Sequence, residues 1–254
     1  HGLHTRVFIN SQGLPTYEAK ELGLEKLKMD LYPDVTKMII VTGSEITEYF
    51  KVLKKAMELV YPEIAAKLTH VPHGMMKFAT GKMSSRTGNV ITGESLLASL
   101  VESAKARSTD SRAEDIETLS RQVAVAAIKY QVLKQAGGKD SIFDEARALS
   151  LEGDSGPYVQ YAHARACALL EKGSAAGVTP EPAVEEAGTV ERLLVRFPHV
   201  AERAVSELAP HHVTGYITEL AASFNSWYAH EQILDGTKDA PRKLAIVAAV
   251  ATTL

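Results

Sequence analysis

A change of hydrophobic period near residue 80 constrains this chain more than any other feature. Before it, short apolar runs alternate with helical patterns; across residues 88–254 only helical periodicity remains. Strands separated by helices pair in parallel and are covered by those helices, while a purely helical tract packs on itself. The sequence therefore implies an α/β layer with a partial, Rossmann-like parallel sheet, then an all-α helical bundle, predominantly α in total. Strands are expected at residues 6–9, 37–41 and 75–78. Thr16, after Leu14-Pro15, can cap a helix reaching about Met29, and a second helix puts Tyr49, Leu53, Ala56 and Val60 on one face. Three strands make a small sheet with open edges, so the layer reads as cut.

The helical tract divides at its capping and turn residues. Thr92 can cap a helix carrying Leu96, Leu97 and Leu100. Ser111-Arg112-Ala113-Glu114 has the form of a capping box before a long Ala/Val/Ile helix that runs to Gln135 and ends at Gly137-Gly138. Another helix starts near Pro157, residues 172–182 read as a loop, and helices resume near Val184, Pro198, Val213 and Pro241. The two last prolines suit a first helical turn. Residues 1–150 are thus expected to form the α/β part with a helical connection, and residues 151–254 the bundle. The pattern breaks off within a helix at Leu254, which reads as truncation.

Composition narrows the class of function. With 254 residues, 45% hydrophobic and 23% charged, the chain fits a globular protein. No apolar run approaches the ~20 residues of a membrane-spanning helix, and nothing after His1 resembles a secretory signal. The single cysteine, Cys167, rules out an internal disulfide and reads as a small apolar helix residue in a reducing, cytoplasmic setting. The net charge of −3 is not that of a nucleic-acid coat, so any RNA contact has to be a local patch. His211-His212 offers no metal site, because adjacent helical residues point different ways; no metal ligand set is expected.

Two segments carry chemistry. In Gly81-Lys82-Met83-Ser84-Ser85-Arg86-Thr87-Gly88, two cations and several hydroxyls sit between glycines. Such a loop can neutralise and hydrogen-bond a developing phosphate charge, although a plain polar loop has the same composition. In Gly156-Pro157-Tyr158-Val159-Gln160-Tyr161-Ala162-His163-Ala164-Arg165, the spacing puts Tyr158, Tyr161 and Arg165 on one helical face. Two rings and a guanidinium can stack on unpaired bases and meet phosphate; a packed helix with a solvated arginine is the alternative.

The order Lys-Met-Ser-Ser-Arg at Lys82–Arg86 resembles the lysine-loop signature of class I aminoacyl-tRNA synthetases, and the Gly156–Arg165 segment resembles the start of the DALR-type anticodon-binding domain of arginyl-tRNA synthetases. The resemblance spans nearly the whole chain. It implies attachment of L-arginine to tRNA(Arg) through an arginyl-adenylate, with ATP and Mg2+ as the substrate complex. Lys82 would stabilise pyrophosphate, supported by Met83, Ser84, Ser85 and Arg86. His73-Gly74-Met75-Met76 looks like the strand whose backbone meets adenine. Leu14-Pro15-Thr16-Tyr17-Glu18-Ala19-Lys20-Glu21 resembles the segment in which a tyrosine and a carboxylate recognise arginine, which assigns Tyr17 and Glu21, though the family usually has aspartate at the second position. Thr42-Gly43-Ser44-Glu45 looks like a Gly-x-Asp-His region and assigns Glu45 to substrate, with Ser-Glu-Ile in place of the usual residues. Tyr158, Tyr161 and Arg165 would meet tRNA, and Phe224-Asn225-Ser226-Trp227-Tyr228 resembles a late motif of the same domain, mostly packed in its core.

The widest departure from the family is an absent motif. A class I synthetase carries His-x-Gly-His on its first strand-to-helix turn; none occurs here, and His1-Gly2-Leu3-His4 has the wrong order. The chain is therefore expected to be a monomeric fragment that does not adenylate alone. A non-catalytic tRNA-binding module, a different class I synthetase and a small-molecule nucleotidyl transferase, which would have no use for the helical half, are the alternatives.

Overall fold

The computed structural model describes residues 2–78, 91–108, 113–182 and 186–254. The chain divides into two compact units. Residues 1–75 with 137–140 form the first; residues 76–136 with 141–254 form the second.

The first unit is a strand–helix–strand layer with one helix before it. Its elements are α1 (Tyr17–Leu31), β1 (Met38–Gly43), a 3-10 turn (Ser44–Ile46), α2 (Thr47–Val60), α3 (Pro62–Lys67) and β2 (Leu68–His73). β1 and β2 pair in parallel, from Met38 opposite Leu68 to Gly43 opposite His73. Alternate residues of β1 face opposite ways. Met38 and Ile40 pack inward against Met57, Ile64 and Leu68, while Ile39 and Val41 face out. From α2, Tyr49, Phe50, Leu53 and Met57 are buried, and Leu53 and Met57 have no exposed surface. Full burial of each contributes roughly 1.5–3 kcal/mol.

Several expectations for this unit need correction. Residues 6–9 are not a strand: Ile9 makes one isolated antiparallel bridge to Pro15. The segment is shaped instead by Asn10, whose side-chain oxygen accepts from the amides of Gln12 and Leu14. Thr16 precedes α1 as expected, but its hydroxyl donates to the carbonyls of Val7 and Phe8 and does not cap the helix. The buried face of α2 runs through Phe50 and Met57, and Val60 is exposed. β2 was not expected, since histidines and Pro72 interrupt its apolar pattern; proline is tolerated at a sheet edge.

The second unit is helical apart from one short strand pair. Its elements are β3 (Met76–Phe78), α4 (Gly93–Arg107), α5 (Ile116–Leu133), β4 (Ser141–Phe143), α6 (Glu145–Ala148), α7 (Gly156–Ala175), α8 (Thr189–Leu194), α9 (Phe197–Glu207), α10 (His211–His230) and α11 (Ala240–Thr253). β3 was expected beside the earlier strands but pairs in parallel with β4. No strand occurs after residue 155 among the described residues. Thr92 caps α4 as expected, its hydroxyl accepting from the Ser95 amide. α5 is capped by Asp115, which accepts from the Thr118 amide, not by the box at 111–114, of which Ser111 and Arg112 lie outside the described residues.

Two apolar clusters fill this unit. One joins Leu100, Ala104, Ala124, Ala127 and Phe143. The other joins Tyr130, Ala162, Ala166, Leu220, Phe224 and Val247. α5 contributes to both, so the helical connection and the bundle share one helix. At the start of α7, a Cβ on Gly156 would lie 2.6 Å from the Ala126 carbonyl oxygen. Only glycine lets α7 approach α5 so closely. Among the described residues no helix is long and apolar enough to cross a membrane.

Candidate active site and nucleic-acid interface

In the first unit, α1 and the carboxyl end of β1 enclose a cavity of about 580 Å³. The end of a parallel strand is where α/β folds place ligands. Tyr17 and Glu21, one helical turn apart on α1, and Glu45, in the 3-10 turn after β1, all line the cavity. So do Arg6, Glu18 and Tyr49, which the sequence did not mark. Three carboxylates thus face one guanidinium.

The aromatic wall is continuous. The Tyr17 and Tyr49 rings lie 5.8 Å apart, and Tyr49 meets Phe50 edge-on at 5.2 Å. Behind them Phe50 stacks on His70 at 4.1 Å. His70 Nε2 is 2.8 Å from the Thr42 hydroxyl, and burial holds its pKa below the ordinary histidine value, favouring the neutral ring.

The electrostatics favour a cation. Burial first, then the charge of Glu25, push the Glu21 carboxyl above its ordinary value, while Lys28 draws it down. Burial, followed by the charges of Glu21 and Glu18, also raises the Tyr49 hydroxyl. That hydroxyl is buried and has no hydrogen-bond partner among the described residues. Arg6 already tests the wall: its guanidinium lies 3.6 Å from Glu18 and 5.7 Å from the Tyr49 ring centroid. A guanidinium therefore fits between carboxylate and aromatic face here.

The segment 73–76 joins β2 to β3. His73 ends β2, and its Nδ1 lies 2.8 Å from the Gly74 carbonyl oxygen. The Met75 amide donates to Asp140 Oδ1 at 2.8 Å. A Cβ on Gly74 would sit 1.9 Å from the Lys139 carbonyl oxygen, so glycine is required for the backbone crossing. Lys82, Met83, Ser84, Ser85 and Arg86 lie outside the described residues. Among the described residues no three His, Cys, Asp or Glu side chains converge as a metal cage.

In the second unit, the expected face of α7 splits. Tyr158 packs against the core cluster, whereas Tyr161 is 44% exposed. Arg165 does not stand free: it lies against the rings of Tyr161 and of Tyr228 on α10. Trp227, half-buried, packs on the core and donates from its indole nitrogen to Glu231. Tyr228 is 37% exposed. Asn225, an Arg165 partner, was missed as a site residue because it reads as part of a core motif.

Residues 3–145 match the family model described as tRNA synthetases class I (R), catalytic domain. The chain belongs to the class I arginyl-tRNA synthetase family. Residues 159–254 match the DALR anticodon binding domain. An arginine–tRNA ligase of Streptococcus pyogenes serotype M4 is 32% identical over 99% of this chain, which spans 45% of that protein. The Thermus thermophilus arginyl-tRNA synthetase structure is 26% identical and superposes with a TM-score of 0.86 over 98% of this chain and 48% of that one. The Plasmodium falciparum arginyl-tRNA synthetase, 19% identical, shares the fold with a TM-score of 0.72 over 97% of this chain and 43% of its own. The chain thus spans about half the length of the synthetases it matches.

Proposed function

We propose that this chain, within a full-length protein, serves the ATP-dependent attachment of L-arginine to tRNA(Arg), in a monomeric, cytoplasmic enzyme. One observation carries this reading: the cavity of the first unit has surplus negative charge, aromatic walls and room for a side chain, with Tyr17, Glu21 and Glu45 on its surface. In this reading Glu21 pairs with the substrate guanidinium, Tyr17 covers its face, and Glu45 contacts the amino-acid end. The arginine carboxylate attacks the α-phosphate of ATP, forming the arginyl-adenylate and releasing pyrophosphate; a tRNA ribose hydroxyl then displaces AMP. ATP brings Mg2+ with it, which offsets phosphate charge. His73, Gly74, Met75 and Met76 would border the adenine, and Lys82 with Met83, Ser84, Ser85 and Arg86 would meet the phosphates. The helical unit would hold tRNA through the exposed aromatic residues on α7 and α10.

The test is ATP–pyrophosphate exchange in the full-length protein with tRNA present, using arginine against lysine. Exchange supported by arginine alone is expected. No arginine-dependent exchange would refute the reading. Binding of tRNA without arginine binding would favour a non-catalytic RNA-binding module.

A further inference from the structure

The contacts of Arg165 differ from those of a free phosphate-binding arginine. Its guanidinium carbon lies 4.5 Å from the Tyr161 ring centroid and 4.6 Å from the Tyr228 centroid. Its Nη2 donates to the Tyr161 hydroxyl at 2.8 Å, and its Nη1 donates to Asn225 Oδ1 at 2.5 Å. Tyr161 and Arg165 stand one turn apart on α7; Asn225 and Tyr228 stand on α10. One planar cation therefore ties two helices and two rings together. Both tyrosines are exposed residues, at 44% and 37%.

We propose that Arg165 is a positioning residue that clamps Tyr161 and Tyr228 into one stacking platform for unpaired RNA bases, and is not a phosphate contact. The inference rests on the reading that the helical unit binds RNA. The chemistry favours a clamp. One N–H of each terminal nitrogen is committed to a fixed partner, so the fork is held between the rings and only the remaining N–H groups could meet a phosphate, in directions those two bonds set. A planar guanidinium lies flat on aromatic faces while its rigid fork fixes the direction of two in-plane bonds; an ammonium, with rotatable donors and no plane, lacks that fork. Rings held in place lose less rotational freedom when a base stacks on them, so the clamp favours binding without touching the ligand. Stacking on aromatic side chains also tolerates any base, since each has a π-face. The platform therefore recognises single-stranded RNA, with sequence read elsewhere.

The clamp and a phosphate contact give different results for Arg165→Lys and Asn225→Ala. The probe is an RNA hairpin with 2-aminopurine in its single-stranded loop, titrated into the whole 254-residue chain at several salt concentrations, with circular dichroism confirming the fold of each variant. Wild type should quench the loop fluorophore. Arg165→Lys keeps the charge, yet should weaken binding roughly tenfold with an unchanged salt slope. It should also leave less quenching at saturation, because the rings are no longer held. Asn225→Ala, which changes no charge, should act in the same direction, and adding it to Arg165→Lys should cost little more. If Arg165→Lys binds like wild type while Arg165→Gln lowers the salt slope by about 0.7, the clamp is overturned and a phosphate contact stands. If wild type does not bind the hairpin at all, the RNA reading of this unit falls, and the clamp with it.

Discussion

Neutralising Glu21 should move ligand binding and stability in opposite directions. Burial and the neighbouring Glu25 raise its carboxyl pKa. A carboxyl whose folded pKa exceeds its unfolded value binds more protons when folded. Its favourable contribution is complete below the unfolded value and is lost as pH rises through the folded one. At neutral pH the charged carboxylate is therefore a cost to the unliganded fold. Glu21→Gln keeps the shape and removes that charge, so the unliganded variant should melt at the same temperature as wild type or higher. A guanidinium in the cavity reverses the balance. A hydrogen bond to a charged group contributes roughly 1.5–3 kcal/mol, so the variant should bind arginine about 10- to 150-fold more weakly. Wild-type affinity should fall as pH drops through the raised Glu21 value, while that of the variant should not. Both quantities are measured in a full-length protein carrying this chain, arginine affinity by calorimetric titration and melting without ligand. A variant that binds arginine normally would sink the assignment. One that melts earlier would show that Glu21 is a structural residue.

Three further perturbations have expected outcomes. Gly74→Ala puts a Cβ 1.9 Å from the Lys139 carbonyl oxygen; the overpacking should cost about 1–3 kcal/mol, and an unchanged urea midpoint would contradict the crossing. Ser155, fully buried, accepts from the Tyr158 amide at 3.1 Å and donates to the Ser150 carbonyl. Ser155→Ala removes this cap and should cost about 1–3 kcal/mol of stability in chemical denaturation. Lys82→Ala in the full-length protein should raise the adenylation barrier by roughly 2–4 kcal/mol with little change in ATP affinity; pyrophosphate exchange at the wild-type rate would remove Lys82 from the reaction.

The sequence located elements better than it located their partners. β1 was legible because it satisfies its own period, with Met38 and Ile40 inward, and α1 because Leu14-Pro15-Thr16 marks its start, although Glu25 is its one fully buried residue. β2 was hidden, since Thr69, His70, Pro72 and His73 give it no continuous apolar run. β4 is three residues long and pairs with β3 from far along the chain; nothing local to Ser141 announces a strand. The segment at residues 6–9 shows the reverse error. Val7 and Ile9 alternate as a strand should, yet both are more than half exposed and find no ladder among the described residues. An apolar period states what a segment can bury, and only a partner decides whether it does.

The same distinction explains the two candidate sites. Tyr17 and Glu21 share a helical face by spacing alone, so their meeting was legible. Glu18 lies on the same helix three residues before Glu21, Tyr49 joins through tertiary packing of α1 on α2, and Arg6 comes from a segment whose shape Asn10 and Thr16 set. On α7, spacing put Tyr158, Tyr161 and Arg165 on one face but could not order them. Val159, Ala162 and Ala166 define the buried side, and Tyr158 lies close enough to it to pack on the core. Arg165 is decided by α10, because Asn225 and Tyr228 turn a side chain that reads as a free cation into the tie between two helices. A positive charge on a helix face is thus not enough to assign a phosphate contact: the donors left over after intramolecular bonding determine what the charge can reach.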